Sequence, residues 1–514
     1  MQTMMPENPQ TQTQNSKSRK LWGKWTGSVL VIGILQMWTI GSSPVVWQDE
    51  VQTIEVGRMF LESDSPWNVI MGADFKSIPF ISYLGVLLHE CFYRLAGCSY
   101  LGPRVVNLLV ACASSAFLLS WLRRRGTLNG VALVVTLLFL IDPCFDRSYR
   151  GGRVDALVLL ATISSCWLIS RFPHSAAKEQ MWSMFGAGLL IGLLPWLWPT
   201  AILLLPLVII EIWRVVSPQA ARSLNRWVTA LLPFVAGILI TVIGLAVPAW
   251  RMVESAIAAT IDHVRWDVGA SNPAAESGGG LMAAVISVVR YSPFLPVLAL
   301  LGGCVRGNRL LLVATLLVIA VVVGTRFYLY RYLYILPYLA VLAAPGLTWL
   351  LSLSLQGGRL KLAAWGPVVM ALGWAALLTF GVRNYVALQE RPWRDYAALV
   401  STLKQEIGYG PIRLYMGAYD IYFAGRELGW LMCRNKFHLP APLMDDIFKR
   451  CDVVLRIPSE DTPDFRRQIK RLGFDDGKTL HIGPHPRPVD FQKPRYGGVA
   501  YGPYRVYRKM SSKE

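Results

Sequence analysis

The chain has 514 residues, 54% of them hydrophobic and only 16% charged, with a formal net charge of +19. That composition excludes an ordinary soluble domain, because many apolar runs approach the thickness of a bilayer's hydrocarbon core. The charge does not point to nucleic acid either: the basic residues stand in short clusters between apolar runs, as the orientation bias of membrane proteins requires.

Residues 1–24 are polar and rich in Gln, Thr and Asn, and they read as a disordered cytoplasmic tail closed by Lys17, Arg19, Lys20 and Lys24. The apolar run 25–40 starts too late, and lacks the small-residue cleavage site, for a removed signal peptide. It reads as a first span leading outward. Directly after it, Val46-Trp47-Gln48-Asp49-Glu50-Val51-Gln52 places two adjacent carboxylates where the membrane ends. An acid pair at that depth is poorly solvated, so a purely structural use would be costly.

The next apolar run, 78–97, carries His89, Glu90 and Arg94, which do not suit lipid. If it crossed, Arg123-Arg124-Arg125 would fall on the outer side, so it reads as an amphipathic helix lying within an outer loop at 45–102. Spans then follow at 104–122, 128–145 and 154–170, with a hairpin of two short helices at 183–198 and 200–213. Further spans are expected at 227–247, 281–304, 310–325, 332–351 and 363–381. This polytopic α-helical region, 25–385, makes about eleven crossings, with the N-terminus inside and the C-terminus outside.

Residues 389–514 change character. Polar helix-like stretches at 393–407 and 461–472 alternate with short apolar strands at 412–416, 452–457 and 479–482, a pattern that predicts a small extracytoplasmic α/β domain. The domain shows no catalytic motif. The eight cysteines have no metal-binding spacing. Cys433 and Cys451 have a disulfide open to them if their domain lies outside.

This threading leaves Lys76, Arg147, Arg150, Arg153, Arg251, Arg265, Arg326 and Arg331 on the outer face, against the orientation bias. Guanidinium and ammonium groups at such a surface commonly neutralise a phosphate. Each alone has a plainer use in headgroup contact or snorkelling. Asp155, in Arg150-Gly151-Gly152-Arg153-Val154-Asp155, has one too, at the positive end of a membrane helix. Together with Asp49 and Glu50 they supply what activates a nucleophile beside an anionic leaving group. A transporter or lipid flippase that binds an ion or headgroup at the same acids is the rival reading. The absence of an evident inverted repeat, and the position of the charges at the rim, argue against it. An assembly or sensor subunit is a third.

At these residues the chain resembles the C-type (GT-C) lipid-linked-sugar glycosyltransferases, in the branch of bacterial aminoarabinose transferases and protein O-mannosyltransferases. The resemblance runs from Asp49-Glu50 through Pro66-Trp67 and Asp74-Phe75-Lys76-Ser77-Ile78-Pro79-Phe80 to Leu101-Gly102-Pro103-Arg104 and Arg153-Val154-Asp155. It continues through Gly188-Leu189-Leu190-Ile191-Gly192, Ile261-Asp262-His263-Val264-Arg265-Trp266 and Arg331-Tyr332-Leu333-Tyr334-Ile335-Leu336-Pro337. The chain departs from the family at Gln52, where a basic residue is usual, and at Lys76, which precedes Ser-Ile-Pro. The hairpin also lacks the usual Thr-Lys.

The resemblance implies Asp49 as general base, Glu50 as a holder of acceptor or base, and Asp155 as a wall of the same cavity. Lys76, Arg265, Arg331 and Tyr332 would contact the donor phosphate, and the outward cations Arg150 and Arg153 are expected to join them. The implied partners are the lipid bilayer, a polyprenyl-phosphate-linked sugar, and a lipid, glycan or protein acceptor, in a bacterial inner membrane. No Asp-x-Asp motif stands out, so no cofactor or metal is expected.

Overall fold

In the computed structural model, residues 9–46, 48–62, 67, 82–220, 224–248, 292, 294–305, 307–324, 329–356, 366, 370–434, 441–484 and 500–510 are described. The first helix, α1, spans Pro9–Thr39. It starts well inside the stretch expected to be a disordered tail. Proline is well suited to a helix's first turn, and the Gln, Lys and Arg that follow are good helix formers, so from Pro9 onward the tail continues the first span's helix.

Two shorter helices follow, α2 (Gln48–Leu61) and α3 (Tyr83–Leu95), neither long and apolar enough to cross a membrane. The bundle continues with α4 (Leu101–Arg124), α5 (Asn129–Leu140), α6 (Pro143–Arg150), α7 (Asp155–Arg171), α8 (Ala177–Leu197), α9 (Leu205–Ala220) and α10 (Leu224–Ala246). Later come α11 (Phe294–Gly303), α12 (Arg309–Gly324), α13 (Leu336–Gln356) and α14 (Met370–Gln389), the last with a π-helical turn at Leu377–Val382.

Among the described residues five helices are long and apolar enough to cross a membrane, or six if the bent pair α5–α6 counts as one. The remaining expected spans fall on shorter or more polar helices, or on residues outside those described. Over the span expected at 128–145 the chain forms two helices, α5 and α6, bent by 53°. Asp142 causes the break. Its side chain accepts from the backbone N–H of Cys144 (2.9 Å) and Phe145 (3.4 Å), capping α6, and Pro143 cannot continue the hydrogen bonding of α5.

The side of α10 turned away from the bundle is apolar: Val228, Leu232, Val235, Leu239 and Ile243 are all exposed at helical spacing. A hydrocarbon solvent makes such a stripe favourable. The opposite side of α10 meets α8 through small residues. A Cβ on Gly188 would collide with the Phe234 carbonyl, and one on Gly237 with that of Phe185, so the two backbones touch.

Beyond α14 the chain forms a separate α/β layer. It contains α15 (Tyr396–Glu406), α16 (Tyr422–Glu427), α17 (Ala441–Arg450) and α18 (Pro463–Arg471). Its strands are β1 (Arg413–Met416), β2 (Leu431–Cys433), β3 (Val453–Arg456), β4 (Lys478–Leu480) and β5 (Tyr504–Arg508). They form one sheet in the order β2-β1-β3-β5-β4. The first three strands are parallel; β5 runs antiparallel to both β3 and β4. The central strands are apolar on both faces, as helix-covered parallel strands must be. This layer sits on the loop after α1: Val45, Val46, Val51, Ile54, Tyr93 and Tyr100 share one buried core with Leu414, Tyr422 and Phe423.

Candidate active site

Asp49 and Glu50 lie in the first turn of α2. Consecutive helical residues diverge by about 100°, so the adjacent acids face different surroundings. Glu50 is fully buried and receives Arg104 edge-on, from Nε to Oε1 and from Nη2 to Oε2, each at 2.8 Å. Arg104 Nη1 donates to the carbonyls of Ile40 (2.8 Å) and Pro44 (2.9 Å), so one guanidinium fixes the turn between α1 and α2.

The Asp49 side chain is 30% exposed and is paired with Arg153 Nη1. Arg153 Nε donates to Asp155 Oδ2 at 2.6 Å, so a single guanidinium joins the two carboxylates. Asp155 opens α7, and its other oxygen accepts from the Tyr334 hydroxyl at 2.5 Å. That bond ties the 3₁₀ turn Leu329–Tyr334, which carries Arg331, to the same place. Gly152 makes the arrangement possible. Its φ is +60°, and a Cβ there would stand 3.0 Å from Glu50 Oε1.

Behind Arg153, Asn107 Nδ2 donates to the Arg153 carbonyl (2.9 Å) and faces His89 Nε2 (3.2 Å). His89 Nδ1 lies 3.0 Å from the Gly85 carbonyl. The proton therefore belongs on Nδ1, leaving Nε2 as the acceptor for Asn107. Burial of α3, which lies outside the spanning helices, pushes the imidazole down to about 4.

The α/β layer supplies the opposite wall. Gln52 reaches the Tyr419 hydroxyl at 3.4 Å, and the Arg434 guanidinium lies 3.7 Å above the Tyr419 ring. Farther along α2 and α3, Arg426 makes two 2.9 Å bonds to Glu90, Arg94 donates to Glu90 (2.7 Å) and Glu62 (2.5 Å), and the Tyr422 hydroxyl donates to Glu55. Asp49 thus sits at a seam between the bundle and the sheet layer. Arg153 stands between Asp49 and Asp155, and Asp49 Oδ1 has no partner among the described residues. That oxygen can accept a proton from a bound hydroxyl.

The chain matches no protein-family model, and no curated protein matches it in sequence. Solved structures do match. The ArnT of Cupriavidus metallidurans bound to undecaprenyl phosphate superposes with a TM-score of 0.63 at 11% identity, covering 95% of this chain and 98% of that one. The fold is that of the GT-C glycosyltransferases. The same ArnT in its apo state gives a TM-score of 0.52 at 12% identity over 85% of this chain and 94% of that one. The mycobacterial arabinofuranosyltransferase AftD gives 0.51 at 14% identity over 94% of this chain but only 41% of its own length. At these identities the likeness is one of fold.

Within this GT-C fold, Asp49, Arg153 and Asp155 stand together, while three expected site residues stand elsewhere. Glu50 is spent on Arg104 in a fully buried pair, so it positions the first turn of α2 rather than facing a substrate. Arg150 is fully buried, and all five of its N–H groups are taken: Nε by the Ser43 carbonyl, Nη1 by the carbonyl and side chain of Gln36, and Nη2 by Thr39 and Ser43. No donor remains for a phosphate. Tyr332 is 2% exposed and turns inward toward Ser292, which argues against the phosphate contact expected of it. Lys76 and Arg265 lie outside the described residues.

The sequence reading assigned no role to Arg104, Tyr334, Tyr419 or Arg434. Arg104 carried a usable signal, since an arginine four residues into an apolar helix needs a buried partner. Tyr419 and Arg434 carried none, because their relation to Asp49 depends on how the two layers meet.

Proposed function

We propose that the protein transfers a sugar from a polyprenyl-phosphate donor to an acceptor hydroxyl or amine, on the extracytoplasmic face of a bacterial inner membrane. In this reading Asp49 takes the proton of the acceptor, whose heteroatom attacks the anomeric carbon from the side opposite the phosphate. The carbon–oxygen bond to phosphate breaks, the polyprenyl phosphate departs with the electron pair, and the sugar's configuration inverts. The leaving phosphate takes no proton, so one carboxylate base suffices, unlike the usual glycosidase pair.

The observation that carries the reading is the state of Asp49 on a GT-C fold. It is partly exposed with one oxygen open, beside Glu50, which is closed off. Arg153 and Asp155 would hold the base in place. Arg331, with Lys76 and Arg265, would meet the phosphate, each such contact contributing about 3 kcal/mol in a water-poor site. The N-terminus would lie in the cytoplasm and the sheet layer outside.

The test is turnover of a polyprenyl-phosphate sugar by detergent-purified protein with no gradient present. Asp49→Asn is expected to lose roughly a hundred- to ten-thousandfold in rate while still binding the donor lipid and unfolding at an unchanged temperature. Full activity in that variant would remove the proposed base. Gradient-dependent movement of lipid without transfer would favour a flippase.

A further inference from the structure

At the end of the bundle opposite Asp49, the N-terminal half of α1, the C-termini of α4 and α7 and the start of α5 enclose a cavity of about 470 Å³, lined by Trp22, Ser120, Arg123, Arg124, Asn129 and Trp167. No acid lines it. The acid buried nearby, Glu211 on α9, is already committed: it pairs with Arg125, accepts from Arg214 Nη2 at 2.6 Å and from the Trp121 indole at 2.8 Å. Two guanidiniums therefore share that one carboxylate. At the cavity itself Arg124 stands close enough to Arg123 and Arg171 for their charges to repel, and the Arg171 guanidinium lies 5.2 Å from the Trp167 ring centre. Arg124 and Arg171 have no carboxylate partner among the described residues.

We infer that this cavity binds the phosphodiester headgroup of an anionic phospholipid from the leaflet opposite the candidate active site. Three features select that occupant. Arg124 and Arg171, which lack a carboxylate among the described residues, call for an anion, and a phosphodiester meets them with charge-assisted hydrogen bonds. Trp22 and Trp167 are amphipathic rings of the kind that sit at headgroup depth, so the cavity opens at the bilayer–water boundary. Ser120 and Asn129 add neutral hydrogen-bonding groups suited to a headgroup hydroxyl. Basic pockets between spanning helices are a recurrent form of lipid site. The inference requires only that the bundle lies in a bilayer. It does not depend on the proposed transfer reaction.

Native mass spectrometry of the full chain, released from bilayer discs of equal parts phosphatidylglycerol and phosphatidylcholine, tests it. The unaltered protein is expected to retain one phosphatidylglycerol in preference to phosphatidylcholine. A basic side chain beside an anionic headgroup contributes about fivefold in affinity, so Arg123→Gln with Arg124→Gln should cut retention roughly 25-fold. Arg124→Gln alone alters an exposed side chain, so the fold is kept, and it should cut retention about fivefold. Equal retention of both lipids, or full retention by the folded single variant, would overturn the site. Displacement of the bound lipid by soluble glycerol 1-phosphate at comparable affinity would also overturn the lipid assignment, leaving a free-phosphate site.

Discussion

Glu50 and Arg104 meet through two parallel 2.8 Å hydrogen bonds, both side chains wholly withdrawn from solvent. The pair joins the first turn of α2 to the first turn of α4 and so fixes where the neighbouring carboxylate, Asp49, emerges. Removing one partner strands the other charge in a dry environment, which costs about 3–5 kcal/mol. Glu50→Ala and Arg104→Ala should each lower the thermal unfolding midpoint in detergent and reduce expression, whereas Asp49→Asn should leave both unchanged. Equal stability of Glu50→Ala and the unaltered chain would contradict a positioning role.

Arg153 is expected to tolerate no conservative exchange. Its Nη1 serves Asp49 while its Nε serves Asp155, a fork that a lysine's single ammonium cannot reproduce. A charge-assisted bond lost at such a position costs about 1.5–3 kcal/mol, so Arg153→Lys should reduce transfer roughly ten- to a hundredfold. Steady-state kinetics check this: the loss should appear in kcat, with little change in donor KM. A defect confined to donor KM would reassign Arg153 to phosphate binding.

His89 and Asp420 should make opposing contributions to stability in acid. Burial holds the His89 imidazole at about 4, against 6.5 ordinarily, so between those values the unfolded chain binds the extra proton and stability falls as pH falls. Burial pushes the Asp420 carboxyl, which accepts from the Tyr504 hydroxyl at 2.8 Å, from 3.8 to about 6. There the folded chain holds the extra proton, so stability rises as pH falls from 6 toward 3.8. Unfolding midpoints measured from pH 4 to 7 should show Asp420→Asn more acid-sensitive than the unaltered protein, and His89→Gln less so. Identical pH profiles for both variants would refute the assignment.

Cys433, at the end of β2, and Cys451, just before β3, are both buried, with their sulfurs 3.8 Å apart. If the sheet layer lies outside the cytoplasm, protein isolated without reductant should carry a bond between them. A closed loop of this size contributes about 3 kcal/mol. Alkylation followed by peptide mass analysis reads the bond directly. Two alkylated thiols in protein taken from an oxidising compartment would exclude it.

Much of this architecture was legible in the chain. The turn from span to acid pair, the start of α7 at Asp155, and three of the five strands follow from local pattern. The bend at Asp142 was missed because hydropathy averages over a capping residue that interrupts a helix without interrupting an apolar run. Strand β5 escaped because it lies in a tail rich in Gly, Pro and Tyr, and β2, Leu431–Cys433, was not read either.

Charge placement divides along the same line. From hydropathy and the distribution of basic residues, the sequence determined that the chain is a helical membrane protein, because lipid penalises polarity wherever it falls. Which of those charges are committed internally was decided only by tertiary structure. Arg104 takes Glu50, the C-terminal end of α1 and Ser43 just beyond it take all of Arg150, and Arg153 is shared between Asp49 and Asp155. Such pairings depend on side-chain direction across residues far apart in the chain, and no local pattern encodes that direction.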